Sequence, residues 1–172
     1  MEFGAVHLAV ALVAAQRLIE AAYGARNARR LKAEGGVEVG AGHYPLFVAL
    51  HGAWLLAIVL LVAPSEPIRW PALFGYLALQ PLRFWVMATL GRYWTTRIIT
   101  VPGAPVVARG PYRFCNHPNY AIVVGEVALL PLAFGAIAIA FVFSVLNLGL
   151  LTHRIRVEQR ALAPRREPPS RP

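Results

Sequence analysis

Residues 120–152 read YAIVVGEVALLPLAFGAIAIAFVFSVLNLGLLT, a stretch of 33 positions with one charged side chain, Glu126. As a single helix it would be about 50 Å long, against a bilayer hydrocarbon core of about 30 Å. It is too long for one straight crossing and short for two. The flanking charge decides the matter. Arg92, Arg97, Arg109 and Arg113 precede it, and Arg154, Arg156, Arg160, Arg165 and Arg166 follow it. Basic flanks lie on the cytoplasmic side of a membrane. Two cytoplasmic flanks require an even number of crossings, so the stretch is expected to be a tight helical hairpin turning near Pro131 to Gly135.

Three further apolar segments lie upstream, from about Phe3 to Tyr23, Tyr44 to Ala63 and Trp70 to Leu90. The loop after the first carries Arg26, Arg29, Arg30 and Lys32, whereas the loop between the second and third offers only Glu66 and Arg69. The expectation is an all-α polytopic membrane bundle of about five transmembrane helices, N-terminus outside and C-terminus cytoplasmic. Trp54, Trp70, Trp85, Trp94, Tyr44 and Tyr93 include candidate interfacial anchors. Residues 1–163 read as one membrane-embedded domain and 164–172, rich in Pro and Arg, as a disordered tail.

Composition agrees. The 172 residues are 58% hydrophobic and 15% charged, with a mean hydropathy of +0.54. That balance excludes a small soluble globule and a disordered chain. The net charge of +9 sits between apolar runs rather than on a soluble face, so nucleic acid is not an expected partner. One cysteine, Cys115, excludes an internal disulfide, and with no Cys-x-x-Cys or His-x-x-x-His pair no metal site is expected. Met1-Glu2-Phe3 lacks the basic region of a cleavable signal, so the first segment is expected to stay as a span.

Ionisable groups inside spans are expensive and mark function. Arg17, Glu20, His51, Arg83 and Glu126 come from four different spans yet fall at a similar depth on the cytoplasmic side. They read either as a set that pairs within itself, Arg17 with Glu20 one turn apart, or as the lining of a polar cavity facing the cytoplasm. His51 can also donate to a carbonyl across helices.

Two segments outside the spans carry chemistry. In residues 106–120, Gly110-Pro111 is a turn signal and Pro118 suits the first turn of a helix, whose free N–H groups favour an anion. Arg109 and Arg113 add charge, and Tyr112, Tyr120 and Trp94 add aromatic faces. The combination suits a zwitterionic ligand with an aromatic ring. Near the C-terminus, Leu151, Ile155, Glu158 and Leu162 share one helical stripe. A carboxylate there needs a partner, and it is either clasped by Arg154 one turn back or aimed at a ligand's hydroxyls.

Gly110-Pro111-Tyr112-Arg113, then His117-Pro118-x-Tyr120, a Glu in the next span and Arg154-x-x-x-Glu158 after a hairpin together resemble the isoprenylcysteine carboxyl methyltransferase family. Arg17-Leu18-Ile19-Glu20, Gly36-Val37-Glu38, His43-Tyr44-Pro45 and Leu50-His51 look most like its bacterial branch of alkylresorcinol and alkylpyrone O-methyltransferases. The resemblance spans most of residues 5–163 and is most specific over 92–163, which it makes the cofactor and catalytic part. It implies S-adenosylmethionine as cofactor, in a cytoplasm-facing pocket lined by Tyr112, His117, Tyr120, Arg154 and Glu158, with Arg109, Gly110, Arg113 and Pro118 in the same binding segment. Where the family often has a second acid after Glu158, this chain has Gln159. The implied acceptor is lipophilic, a hydroxyl of an alkylated aromatic or pyrone, and the implied location is the bacterial cytoplasmic membrane. A hydroxyl must lose a proton, and Glu126, His51 and Glu20 are the candidate bases. An NADPH-dependent reductase related to sterol reductases and a non-enzymatic carrier are the competing readings.

Overall fold

The computed structural model describes residues 4–104 and 107–166, the last five of them by backbone alone. Five helices carry the chain: α1 (Ala5–Ala33), α2 (Tyr44–Leu61), α3 (Trp70–Leu90), α4 (Pro118–Ala133) and α5 (Ile137–Arg166). By length and composition α1, the segment Ala41–Leu61 and Ile137–Ala161 can each cross a membrane alone, while α4 is a shorter apolar helix. The outward faces are apolar throughout, with Leu12, Ile19, Leu60, Phe74, Phe84 and Phe141 all well exposed. Such a surface belongs against lipid. The fold is an all-α membrane bundle.

The hairpin in 120–152 turns where the sequence placed it. Pro131 ends the ladder of α4, Gly135 takes φ +69°, and the Ala136 N–H reaches back to the Pro131 carbonyl at 2.9 Å. An αL residue closing a helix in this way is a glycine's natural place. α1 runs ten residues past Tyr23, because Ala25–Ala33 is built from strong helix formers, and Arg30 and Lys32 in its last turn oppose the helix dipole. α5 likewise carries the backbone to Arg166, so the part of the expected tail in 167–172 lies outside the described residues. At 29 and 30 residues, α1 and α5 are about 43–45 Å long and overrun a bilayer core. Their projecting ends share one side of the bundle, its basic end.

There the two connecting loops pair. β1 (Val37–Val39) and β2 (Ile98–Thr100) form an antiparallel ribbon in register Val37↔Thr100, Glu38↔Ile99 and Val39↔Ile98. Glu38 accepts from Lys32 and, at 2.7 Å, from Arg97, so the ribbon is tied to both α1 and the loop after α3. Gly24 permits the close approach of that loop, since a Cβ there would stand 3.0 Å from the Thr96 nitrogen and 3.2 Å from the Trp94 ring. Asn27, buried, donates to the Trp94 carbonyl at 2.8 Å.

Among the helices, α3 packs on α4, α4 on α5, α5 on α2 and α2 on α1. Val6, Val10, Trp54, Ile58, Tyr76 and Leu130 centre the apolar core, toward the end opposite the ribbon. α1 reaches α3 and α4 through polar side chains. Arg17 bridges Glu20 and Glu126, at 2.7 Å each. Arg83 bridges Glu20 at 3.1 Å and grips Glu126 with its fork, Nε to Oε1 at 3.0 Å and Nη2 to Oε2. Gln80 donates to Glu126 and Gln16 to both Gln80 and Glu20, at 2.9–3.0 Å. The self-paired reading describes Arg17, Glu20, Arg83 and Glu126, and His51 bonds within its own helix instead of across helices.

Glu126→Ala would leave Arg83, which is 2% exposed, without its main partner. We expect a loss of roughly 3–5 kcal/mol, read as a lower thermal midpoint and poorer folded yield in detergent. Glu38 lies outside the spans, and hydrogen bonds from Lys32 and Arg97 hold its carboxyl below the ordinary value of 4.5. A depressed folded pKa contributes stability above the unfolded value and loses it as pH falls through the folded one. Glu38→Gln should therefore lower the unfolding midpoint at neutral pH, with the gap to the parent closing below pH 4.5.

Candidate functional site

A cavity of about 510 Å³ opens between α1, α2, α4 and α5 beneath the Trp94–Ile99 segment. That volume is within the roughly 300–1,000 Å³ of small-molecule sites. Its two ends differ in chemistry because its walls come from different depths of the bundle.

The basic end is polar. Pro118 starts α4 at a position that needs no N–H, and this sets Tyr120 in the first turn, facing α5. The Tyr120 hydroxyl donates to Glu158 Oε2 at 2.5 Å and accepts from Arg154 Nε at 2.9 Å. Arg154 and Glu158 thus meet through Tyr120 rather than by the direct clasp that their spacing suggested. Arg154 also donates to the Thr96 carbonyl at 2.9 Å and lies over the Phe47 ring at 5.3 Å. His117 stacks on Tyr120 with ring centres 5.3 Å apart, its Nδ1 3.7 Å from Glu158. Arg97, anchored by Glu38, sits 4.4 Å over the Tyr44 ring. Tyr112 closes this end, and burial, with Glu158 nearby, pushes its hydroxyl above the ordinary phenol range. Tyr120, Arg154, Glu158, His117 and Arg97 are each braced by another side chain.

Some polar atoms are left without partners. His117 Nε2 and Asn119 Oδ1 are buried and unbonded, and both residues line the cavity. A buried polar atom without a partner is costly unless something else satisfies it.

The other end is apolar and at membrane depth. Ala14, Leu18 and Ala21 of α1 face Val48, Gly52 and Leu55 of α2 across it. Leu18 and Val48 are also 71% and 55% exposed on the outside of the bundle, so this end opens toward lipid between α1 and α2. His51 projects into this part, and Arg17, Glu20 and Arg83 form its far wall.

Of the residues singled out from the sequence, Tyr112, His117, Tyr120, Arg154, Glu158, His51 and Glu20 line this one cavity. Glu126 stands behind Arg17 and Arg83, and Arg109, Gly110, Arg113 and Pro118 are not among the lining residues. Gly110 takes φ +58° and starts the short turn Gly110–Arg113 that presents Tyr112. Pro118 is buried as the start of α4. These two shape the site without facing it. The sequence does not single out Phe47, Thr96 and Asn119, and it marks Tyr44 only as a candidate interfacial anchor and motif residue and Arg97 only as a flanking charge; all five line the cavity. Thr96 acts through a backbone carbonyl, which leaves no mark in sequence, whereas Tyr44 and Arg97 stand beside or within segments already notable for their charge and aromatic content.

Comparison with known proteins agrees with the architecture. Residues 72–164, which hold nearly all of α3, α4, the hairpin and the Tyr120–Arg154–Glu158 cluster, match the isoprenylcysteine carboxyl methyltransferase (ICMT) family. The chain is 36% identical over 159 residues to "Uncharacterized protein YpbQ" of Bacillus subtilis (strain 168), covering 90% of this chain and 95% of that protein. No solved structure matches. The family match covers more than half of the chain, and the protein belongs to the isoprenylcysteine carboxyl methyltransferase family of membrane methyltransferases.

Proposed function

We propose that this protein methylates a hydroxyl on an alkylated aromatic or pyrone ring, using S-adenosylmethionine as donor, with the N-terminus outside and the donor end of the cavity facing the cytoplasm. One observation carries the reading. A single cavity joins a braced polar end, beyond the spans, to an apolar end open to lipid. That is what a reaction between a water-soluble donor and a bilayer-soluble acceptor requires. The family's enzymes generally use this donor.

The residues at the polar end fit it. The donor is zwitterionic, with ribose hydroxyls and an adenine ring. Arg154 and the opening turn of α4 suit its carboxylate. Glu158 has Oε1 unengaged among the described residues and can accept from hydroxyls, while His117 Nε2 and Asn119 Oδ1 offer further unsatisfied polar atoms. Tyr44, Trp94 and Tyr112 supply aromatic faces. When bound, the donor supplies an activated methyl on a sulfonium whose charge is lost on transfer. The chain's own part is to hold the two reactants in line and keep water from the reacting centre. The apolar gap between α1 and α2 admits an alkyl chain while its tail stays in the bilayer.

Calorimetric titration of S-adenosylhomocysteine into the detergent-purified protein, with NADPH in parallel, tests the donor. Saturable binding of the first is expected, abolished in Glu158→Ala without change in thermal midpoint. Binding of NADPH alone would reverse the reading. Gly52 lines the apolar end, and nothing lies within 4 Å of a Cβ placed on it. Gly52→Leu should raise the KM for a long-chain alkylresorcinol roughly tenfold or more and leave S-adenosylhomocysteine affinity unchanged.

A further inference from the structure

Three ionisable groups stand near the apolar end of the cavity and could take a proton from an acceptor: Glu20, Glu126 and His51. The carboxylates are already engaged. Glu20 Oε2 receives Arg17 and Arg83 and its Oε1 receives Gln16. Glu126 receives both arginines and Gln80, is 1% exposed, and does not line the cavity. Two cations face two anions, so the set is neutral as it stands. Protonating either carboxylate would strand a buried guanidinium.

His51 is different. Its Nδ1 lies 2.8 Å from the Phe47 carbonyl, one turn back on the same helix. A carbonyl can only accept, so Nδ1 carries the hydrogen and the neutral ring has a bare Nε2. That nitrogen has no protein partner among the described residues, and His51 lines the cavity. The Phe47 ring is 6.4 Å from the His51 ring and 5.3 Å from the Arg154 guanidinium, so His51 lies about one turn deeper than the donor-end cluster. Of the charged groups around it, Arg17 of α1 and Arg83 of α3 share the cavity wall with it, Glu126 of α4 stands behind them, and Arg154 of α5 lies beyond Phe47.

We propose that His51 is the general base of the reaction, its Nε2 taking the proton of an acceptor that reaches the cavity from the bilayer as a neutral hydroxyl. This rests on the methyltransferase reading above. The acceptor oxygen gives its proton to Nε2 and forms a bond to the methyl carbon. The pair of the breaking C–S bond stays on sulfur. The products are a methyl ether, a neutral thioether and an imidazolium, which returns its proton to water through the polar end. A carboxylate acceptor would need no base and would want a free cation, and the closed ion set offers none at this depth.

The test compares the full chain with His51→Gln on two acceptors, a long-chain alkylresorcinol and a dinitro-substituted alkylphenol already ionised at neutral pH. With the resorcinol, the substitution should lower kcat/KM by roughly 10²-fold or more; with the ionised phenol, by no more than a few fold. The parent's kcat/KM for the resorcinol should rise with unit slope on its acid limb, and this slope should vanish in His51→Gln. S-adenosylhomocysteine affinity should not change. Independently of turnover, ¹⁵N spectra of histidine-labelled protein should show one unprotonated Nε2 that disappears with the substitution. Equal loss on both acceptors would reduce His51 to packing and overturn the proposal, as would no loss on either. A parent that binds S-adenosylhomocysteine but methylates neither phenol overturns the hydroxyl assignment alone. A parent that does not bind it overturns the methyltransferase reading as well.

Discussion

Four charges, Arg17, Glu20, Arg83 and Glu126, are held at membrane depth by one another and by Gln16 and Gln80. Hydrocarbon cannot solvate them, so each survives only where the others stand. Such a set is weak support for stability, because its desolvation consumes much of its attraction, but it is strict about geometry. It comes from three helices, and α1 meets α3 largely through it. The set thereby fixes how far α1 stands from the rest of the bundle. The gap left between α1 and α2 is the apolar end of the cavity.

The polar end of the cavity depends on a different device. α1 and α5 outrun the hydrocarbon, and their projecting turns support the ribbon, the Trp94 segment and Tyr112. Arg154, Tyr120 and Glu158 form a chain in which the tyrosine hydroxyl donates once and accepts once. A phenol in that position orders the two charged groups without cancelling them, and leaves one carboxylate oxygen to spare. Phe47 is the seam between the two ends, against Arg154 on one side and His51 on the other.

Most of this architecture can be read from charge and hydropathy. The length of 120–152 and its basic flanks force a hairpin, and Pro131 and Gly135 mark its turn. The shared depth of Arg17, Glu20, Arg83 and Glu126 follows from counting along each span. The pair Arg17–Glu20, one turn apart on one helix, follows as well; the pairing across helices does not, because the rotation of each helix decides which faces meet. The ribbon escapes sequence reading for another reason: three-residue strands carry too few positions for alternation to show. Arg109 and Arg113 illustrate the limit in the site itself. They sit within a few residues of Tyr112 and His117, yet a tight turn sends neighbours in a loop to different sides, and neither lines the cavity.

On the proposed reading, the closed ion set also bears on rate. A sulfonium is cationic before methyl transfer and neutral after it, so a free carboxylate beside it would stabilise the starting state more than the transition state. Glu20 is at the cavity wall, where a carboxylate would do that harm if unpaired. Arg17 and Arg83 cancel its field while keeping it in place. The acceptor needs help of the opposite kind, a group that gains charge as the sulfonium loses it. A neutral imidazole at the same depth meets that need without adding a charge to the resting site, and the cation it becomes replaces the one consumed.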